Sequence, residues 1–183
     1  YYGMRHVLWA FQRAKVKGSL LLSLILNKEK EQSEKLLLVD KLLPYTMGGP
    51  LALYCTFDIA MLAEKENIEG ALVECGVAKG GCAAIMALAV KLNSEERDLW
   101  LFDSYEGLPE PTENDFREGK AGNMIGPLTA GMLSGGLKQV KDLMHHVCGL
   151  SENKLHFVKG WFEDTLSKEK ERVGNIAVLR IDA

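Results

Sequence analysis

Apolar and polar positions follow two rhythms along this chain, and the change between them divides it. Residues 1–43 carry apolar positions at helical spacing, Val7, Leu8 and Phe11 and then Leu20 to Leu26 broken only by Ser23, and predict a helical N-terminal extension. Pro44-Tyr-Thr-Met-Gly-Gly-Pro50 is a turn-rich junction. Beyond it, Leu53, Phe57, Ala60 and Met61 predict a helix over Leu51 to Glu66. Short apolar runs then alternate with helical ones. Strands are predicted at Ala71 to Val77, Asp98 to Asp103, Leu155 to Lys159 and Ile176 to Ile181. Helices are predicted from Gly80-Gly81 to about Leu92, over Leu137 to Val147, and over Phe162 to Arg172; residues 104–133 read as a long loop.

That order predicts an α/β domain over residues 44–183, a Rossmann-like, doubly wound parallel sheet. Such a sheet binds ligands beyond the C-terminal ends of its strands. The last apolar run stands immediately before Ala183, and Tyr1 is not an initiator Met, so an incomplete sheet and missing flanking residues are expected.

Composition narrows the picture. A length of 183 residues, 47% hydrophobic and 26% charged, suits one globular domain. A net charge of −3 offers no basic footprint, so no nucleic-acid partner is expected. Cys55, Cys75, Cys82 and Cys148 form no C-x-x-C pair or zinc pattern, which favours reduced thiols and a cytoplasmic location. Arg5, Arg13, Lys15 and Lys17 precede the Leu20 to Leu26 run in the order of a signal peptide. The run is far shorter than the ~20 residues of a membrane span, and the charged stretch Lys28 to Glu34 follows it. A helix that caps the domain or packs on a partner, as in a homo-oligomer, is favoured over membrane-surface attachment.

The chemistry concentrates at the strand ends. Val73-Glu-Cys-Gly-Val-Ala-Lys-Gly-Gly81 closes the first strand, and its glycines let the backbone turn sharply beside a ligand. The spacing is not G-x-G-x-x-G. Glu74 discriminates further, because a carboxylate repels a dinucleotide's pyrophosphate but favours the ammonium and sulfonium of S-adenosylmethionine. The plainer alternative is an ordinary charge at a strand end. Asp103, closing the second strand, suits both hydroxyls of a ribose; with Ser104 and Gly107 following, it also suits a loop cap. Trp161 or Phe162 reads equally as an apolar wall for adenine or as core. His145 and His146 read as surface or core residues, and His6 and His156 carry no constellation.

Four blocks in order combine these features: Val73-Glu-Cys-Gly-Val-x-x-Gly-Gly81, Trp100-Leu-Phe-Asp-Ser-Tyr-Glu-Gly-Leu-Pro109, Gly160-Trp-Phe-Glu-Asp-Thr-Leu166 and Ile176-Ala-Val-Leu-Arg-Ile-Asp182. The set resembles the macrocin O-methyltransferase (TylF-type) family from about residue 40 onward. The resemblance implies an S-adenosylmethionine- and Mg²⁺-dependent enzyme that methylates a hydroxyl of a sugar or glycosylated natural product. It implies that Glu74, Cys75, Gly76, Gly80, Gly81 and Cys82 line the methionine end, Asp103 and Ser104 the ribose, and Gly160, Trp161 and Phe162 the adenine. Met47 would close over the cofactor. Asp182 would be the first metal ligand, beside the reacting hydroxyl, with the family's other metal carboxylates beyond Ala183, so that the 183-residue chain by itself is expected to be inactive. The rival expectations are an NAD(P)-dependent oxidoreductase on a similar sheet and a non-catalytic nucleoside-binding module.

Overall fold

The computed structural model describes residues 11–19, 22, 30–93, 96–112, 116–117, 120–121 and 129–182. The expectations for Arg5, His6, Val7, Leu8 and, apart from Leu22, the Leu20 to Leu26 run lie outside the described residues.

Helix α1 (residues 11–19) and helix α2 (Lys30–Leu42) lead into a single 3₁₀ turn, Leu43–Tyr45, with Pro44 in its first positions. Helix α3 (Gly49–Lys65) carries Pro50 in its first turn, where a missing N–H costs nothing. Strand β1 (Ala71–Cys75) feeds helix α4 (Gly81–Lys91), and β2 (Leu99–Asp103) follows. The expected long loop contains a short antiparallel pair, β3 (Phe116–Arg117) with β4 (Lys120–Ala121). Helix α5 (Leu137–Asp142) continues as a wider π-type turn over Leu143–Val147. Strand β5 (Leu155–Lys159), helix α6 (Phe162–Val173) and strand β6 (Ile176–Ile181) complete the described chain.

The main sheet has four parallel strands in the order β5-β2-β1-β6. Parallel strands are covered on both faces, so β1 and β2 read as continuous apolar runs and all but Asp103 of their residues are buried. Successive side chains point to opposite faces. Leu72, Leu99, Leu101 and Val178 join the larger core with α2, α3, α4 and α5, whereas Ala71, Val73, Cys75, Trp100 and Phe102 form a second core under Phe162 and Val173 of α6. Helix α4 is buried from Gly81 to Val90, which explains its nearly uniform apolarity. The N-terminal helices belong to the same core: Val16, Val39, Leu42 and Leu43 are buried in it. Among the described residues no helix is long and apolar enough to cross a membrane.

The N-terminal ends of the strands are stitched by charge. Arg97 donates to the carbonyls of Ile68 (2.7 Å) and Gly70 (2.9 Å) and pairs with Glu64 at 2.7 Å. Asp98 binds Lys154 Nζ at 3.1 Å and His156 Nε2 at 2.8 Å, and the His156 ring stacks on Trp100 at 4.2 Å. The expectation that His156 stands without a constellation is therefore corrected. Its partners, Trp100 on β2 and Asp98 just before it, meet His156 of β5 only through strand order. A surface cavity of about 880 Å³ opens here, lined by these residues and by Glu69, Glu96 and Arg172.

Candidate functional site

The opposite, C-terminal ends of the strands gather the residues singled out in the sequence. Gly76 N donates to Phe102 O at 2.9 Å, Gly160 N to Asp103 O at 3.0 Å and Asp182 N to Cys75 O at 2.9 Å. These bonds extend the ladder one step past each strand and bring Gly76, Asp103, Gly160 and Asp182 to one rim.

The turn from β1 into α4 is built for close approach. Gly80 sits at φ 85° as the N-cap of α4, in the left-handed region that glycine tolerates without strain. A Cβ on Gly81 would lie 2.6 Å from Tyr45 O, so the junction before α3 rests directly on the helix start. Thr46 adds a contact of 3.9 Å between its Oγ1 and Cys82 Sγ, and Gly48 N donates to Thr46 Oγ1 at 3.2 Å. Met47, next to them, is 36% exposed at the rim. Cys82 itself is buried, and that burial, reinforced by Glu74, raises its thiol pKa.

Asp103 clamps this turn. Its Oδ2 accepts the amides of Val77 (2.6 Å) and Ala78 (2.9 Å), and its Oδ1 accepts Tyr105 N (2.6 Å). Ala78 and Tyr105 both adopt positive φ, 47° and 56°, and the carboxylate bonds repay that strain. Three accepted bonds leave room on Oδ1 for about one more, since a carboxylate accepts about four. Ser104 Oγ accepts Glu106 N at 3.2 Å and donates to Gly107 O at 3.1 Å, shaping the same loop. Tyr105 is buried, its hydroxyl donating to Leu101 O at 3.1 Å, and burial raises its pKa.

Glu74 does not open onto the turn. It is 1% exposed on β1, and its Oε1 accepts Arg180 Nη1 at 2.6 Å from the neighbouring β6. Its Oε2 is buried with no hydrogen-bond partner among the described residues. Burial pushes the carboxyl up to about 8, against the pull of Arg180. The other arm of the guanidinium, Nη2, donates to Asp182 Oδ2 at 2.9 Å. Burial opposes the charge on Arg180, yet Glu74, Cys82 and Asp182 together raise its pKa. Cys75, next to Glu74, points into the second core, and burial raises its thiol pKa.

At the far side of the rim, Trp161 and Phe162 part company. Trp161 is 38% exposed, whereas Phe162 packs against the second core. The sequence reading missed three contributors. Arg180 links Glu74 to Asp182. Thr46 seats the junction. Gly135 packs so closely that a Cβ would lie 1.9 Å from Ala78 O. A lone arginine in an otherwise apolar strand, opposite a lone glutamate in another, was the available signal for the first. Among the described residues no group of three or more His, Cys, Asp or Glu side chains is placed to hold a metal ion.

A parallel sheet ordered β5-β2-β1-β6, with a glycine turn and a strand-end aspartate on its C-terminal rim, defines a Rossmann-like α/β domain. The chain belongs to the macrocin-O-methyltransferase (TylF) family, whose model matches residues 22–183. It is 31% identical over 118 residues to the 8-demethyl-8-(2,3-dimethoxy-alpha-L-rhamnosyl)-tetracenomycin-C 4'-O-methyltransferase of Streptomyces olivaceus, covering 64% of this chain and 43% of that protein. Mycinamicin III 3''-O-methyltransferase of Micromonospora griseorubida is 30% identical over 122 residues, covering 66% of this chain and 46% of that protein. The solved O-methyltransferase NovP matches with a TM-score of 0.61 at 28% identity, covering 75% of this chain and 55% of that one. The chain thus spans less than half the length of these two curated relatives.

Proposed function

We propose that the full-length protein is an S-adenosylmethionine-dependent O-methyltransferase acting on a hydroxyl of a sugar or glycosylated natural product. The observation that carries this reading is the clamp of Asp103 on the glycine turn. The Val77 and Ala78 amides, which a pyrophosphate would need, are already bound to a carboxylate. That argues against the NAD(P)-dependent alternative, whose pyrophosphate needs free amides at this turn. The names of the two relatives, each a methyltransferase for a natural product, support the acceptor class.

The residues present fit the cofactor. The N-terminus of α4, opened by Gly80, suits the methionine carboxylate. Gly76, Gly80, Gly81 and Cys82 form the turn beneath it, with Glu74 and Cys75 as its buried support. The remaining lone pair of Asp103 suits a ribose hydroxyl, with Ser104 holding the loop, and exposed Trp161 offers a face for adenine beside Gly160 and Phe162. Met47 and its neighbours close the methionine side. When bound, the cofactor supplies a methyl group on a sulfonium, transferred by in-line displacement. The chain's task is then to hold the acceptor oxygen ~3 Å from that methyl and keep water away. Asp182, exposed beside this site, would orient the acceptor hydroxyl. Mg²⁺ is not held by the described residues by themselves, because Arg180 engages Oδ2 of Asp182 and no group of three or more His, Cys, Asp or Glu side chains is placed among them to hold a metal ion.

The division into a helical extension over 1–43 and a cofactor-binding domain over 44–183 is part of this reading. So is a cytoplasmic setting, which keeps four unpaired thiols reduced. Exposed Leu37, Leu51, Ile59 and Leu62 on α2 and α3 support a homo-oligomeric contact. The test is transfer of an isotopically labelled methyl from the donor to a panel of glycosides by the full-length protein. Label in a new O-methyl ether is the expected result. Cofactor binding without transfer to any hydroxyl would instead identify a non-catalytic module.

A further inference from the structure

Arg180 lies between two acids at the rim where the methyl donor is proposed to bind. Its contact with Glu74 is an anchor. Glu74 is buried on an interior strand, so withdrawing the guanidinium would strand a polar group inside the sheet. Its contact with Asp182 is directional. The Asp182 side chain is 64% exposed, and a fixed guanidinium edge 2.9 Å away selects one orientation for it and offsets its charge.

We infer that Arg180 is the positioning residue for Asp182 and sets the charge this rim presents, and thereby how strongly the site prefers the cationic methyl donor over its neutral demethylated product. The inference rests on the donor reading above. Donor and product share the amino-acid chain, ribose and adenine, so contacts to those parts cancel in the ratio of their affinities. What remains is one methyl and one positive charge at sulfur. An uncompensated carboxylate favours the donor, and the arginine moderates that preference, so that spent product is displaced without being retained or ignored.

The experiment is calorimetric titration of the full-length protein with S-adenosylmethionine and S-adenosylhomocysteine, read as the ratio of the two dissociation constants. Arg180→Gln is expected to raise the preference for the donor about three- to tenfold, the effect of one unit charge near another in a partly wet site. Arg180→Lys keeps the charge, to which the ratio responds, and is expected to stay within about twofold of the wild-type ratio. Asp182→Asn is expected to lower the preference about threefold. Asp182 is exposed, so this variant reports even where Arg180→Gln fails to fold. A parallel loss of both affinities, with the ratio unchanged in Arg180→Gln and Asp182→Asn alike, would mean that Arg180 is only a brace and would overturn the inference. Failure of the wild-type protein to take up either compound would instead overturn the donor reading, and the inference with it.

Discussion

At the N-terminal ends of the strands, Arg97, Asp98, Lys154 and His156 form a set in which each charge has a partner, and Trp100 seals it from below. At the C-terminal ends of the same strands, Glu74 keeps one buried oxygen without a partner, and backbone at Gly80, Ala78 and Tyr105 is held at positive φ. A cavity of about 880 Å³ lies at the first end, yet the chemistry points to the second. Cavity size is therefore a poor guide in this molecule. A stitched end has paired its charges with one another and gains little from a ligand. A rim with helix N-H groups, a clamped turn and an orphaned acid has interactions still to make.

The comparison can be broken most forcefully at the stitched end. Trp100→Ala should cost about 3–5 kcal/mol of stability, read by denaturant unfolding of the full-length protein, because a buried indole leaves a cavity beneath the sheet. Cofactor affinity of the protein that remains folded should stay within about twofold. A comparable loss of affinity would show that the two ends are not separate.

Asp103→Asn reverses the pattern. An amide cannot present acceptors to three N–H groups on both of its terminal atoms, so the turn over Val77 and Ala78 loosens. The expected effect is about 1–3 kcal/mol in stability together with at least about tenfold weaker binding of S-adenosylhomocysteine. Weaker folding with unchanged binding would make Asp103 a loop cap and nothing more. Gly135→Ala acts on the same turn from outside. Its methyl would displace the Ala78 carbonyl, at a cost of about 1–3 kcal/mol and a measurable loss of cofactor affinity.

The smallest effects are pH-dependent and have opposite signs at the two ends. Glu74, with its pKa raised by burial to about 8, binds its proton more tightly folded than unfolded, so its contribution is lost as pH rises through that value. Asp98 has its pKa lowered, chiefly by the His156 hydrogen bond, and its contribution is lost as pH falls through the acid range. Glu74→Gln should therefore flatten the stability profile between the ordinary carboxylate range and about pH 8, and Asp98→Asn should flatten its acid side. A variant that altered the other side would contradict the assignment.

Much of this architecture was legible in the residue pattern. Buried parallel strands are short apolar runs, so β5 and β6 match their expected limits and β1 and β2 differ only at their ends. The glycine turn and Asp103 announced a strand-end site for the same reason. Strand order was not legible. Without it, nothing placed Arg180 opposite Glu74 or His156 against Trp100 and Asp98, because those meetings occur across neighbours far apart in sequence. Nor could the pattern tell that Asp103 reaches back to the turn, since a carboxylate at a strand end serves backbone amides and ribose hydroxyls equally well. The close packing of Gly135 was hidden inside a long loop whose path no periodicity constrains.

All of this reduces to whether the C-terminal rim receives an adenosine cofactor. Titration of the full-length protein with S-adenosylhomocysteine, observed by two-dimensional NMR, tests it directly. The account predicts that amide resonances of Gly76 to Cys82 and of Asp103 to Tyr105 shift on binding while those of Arg97, Asp98 and Lys154 stay in place. Shifts confined to Arg97, Asp98 and Lys154, or no shifts at saturating concentration, would contradict it.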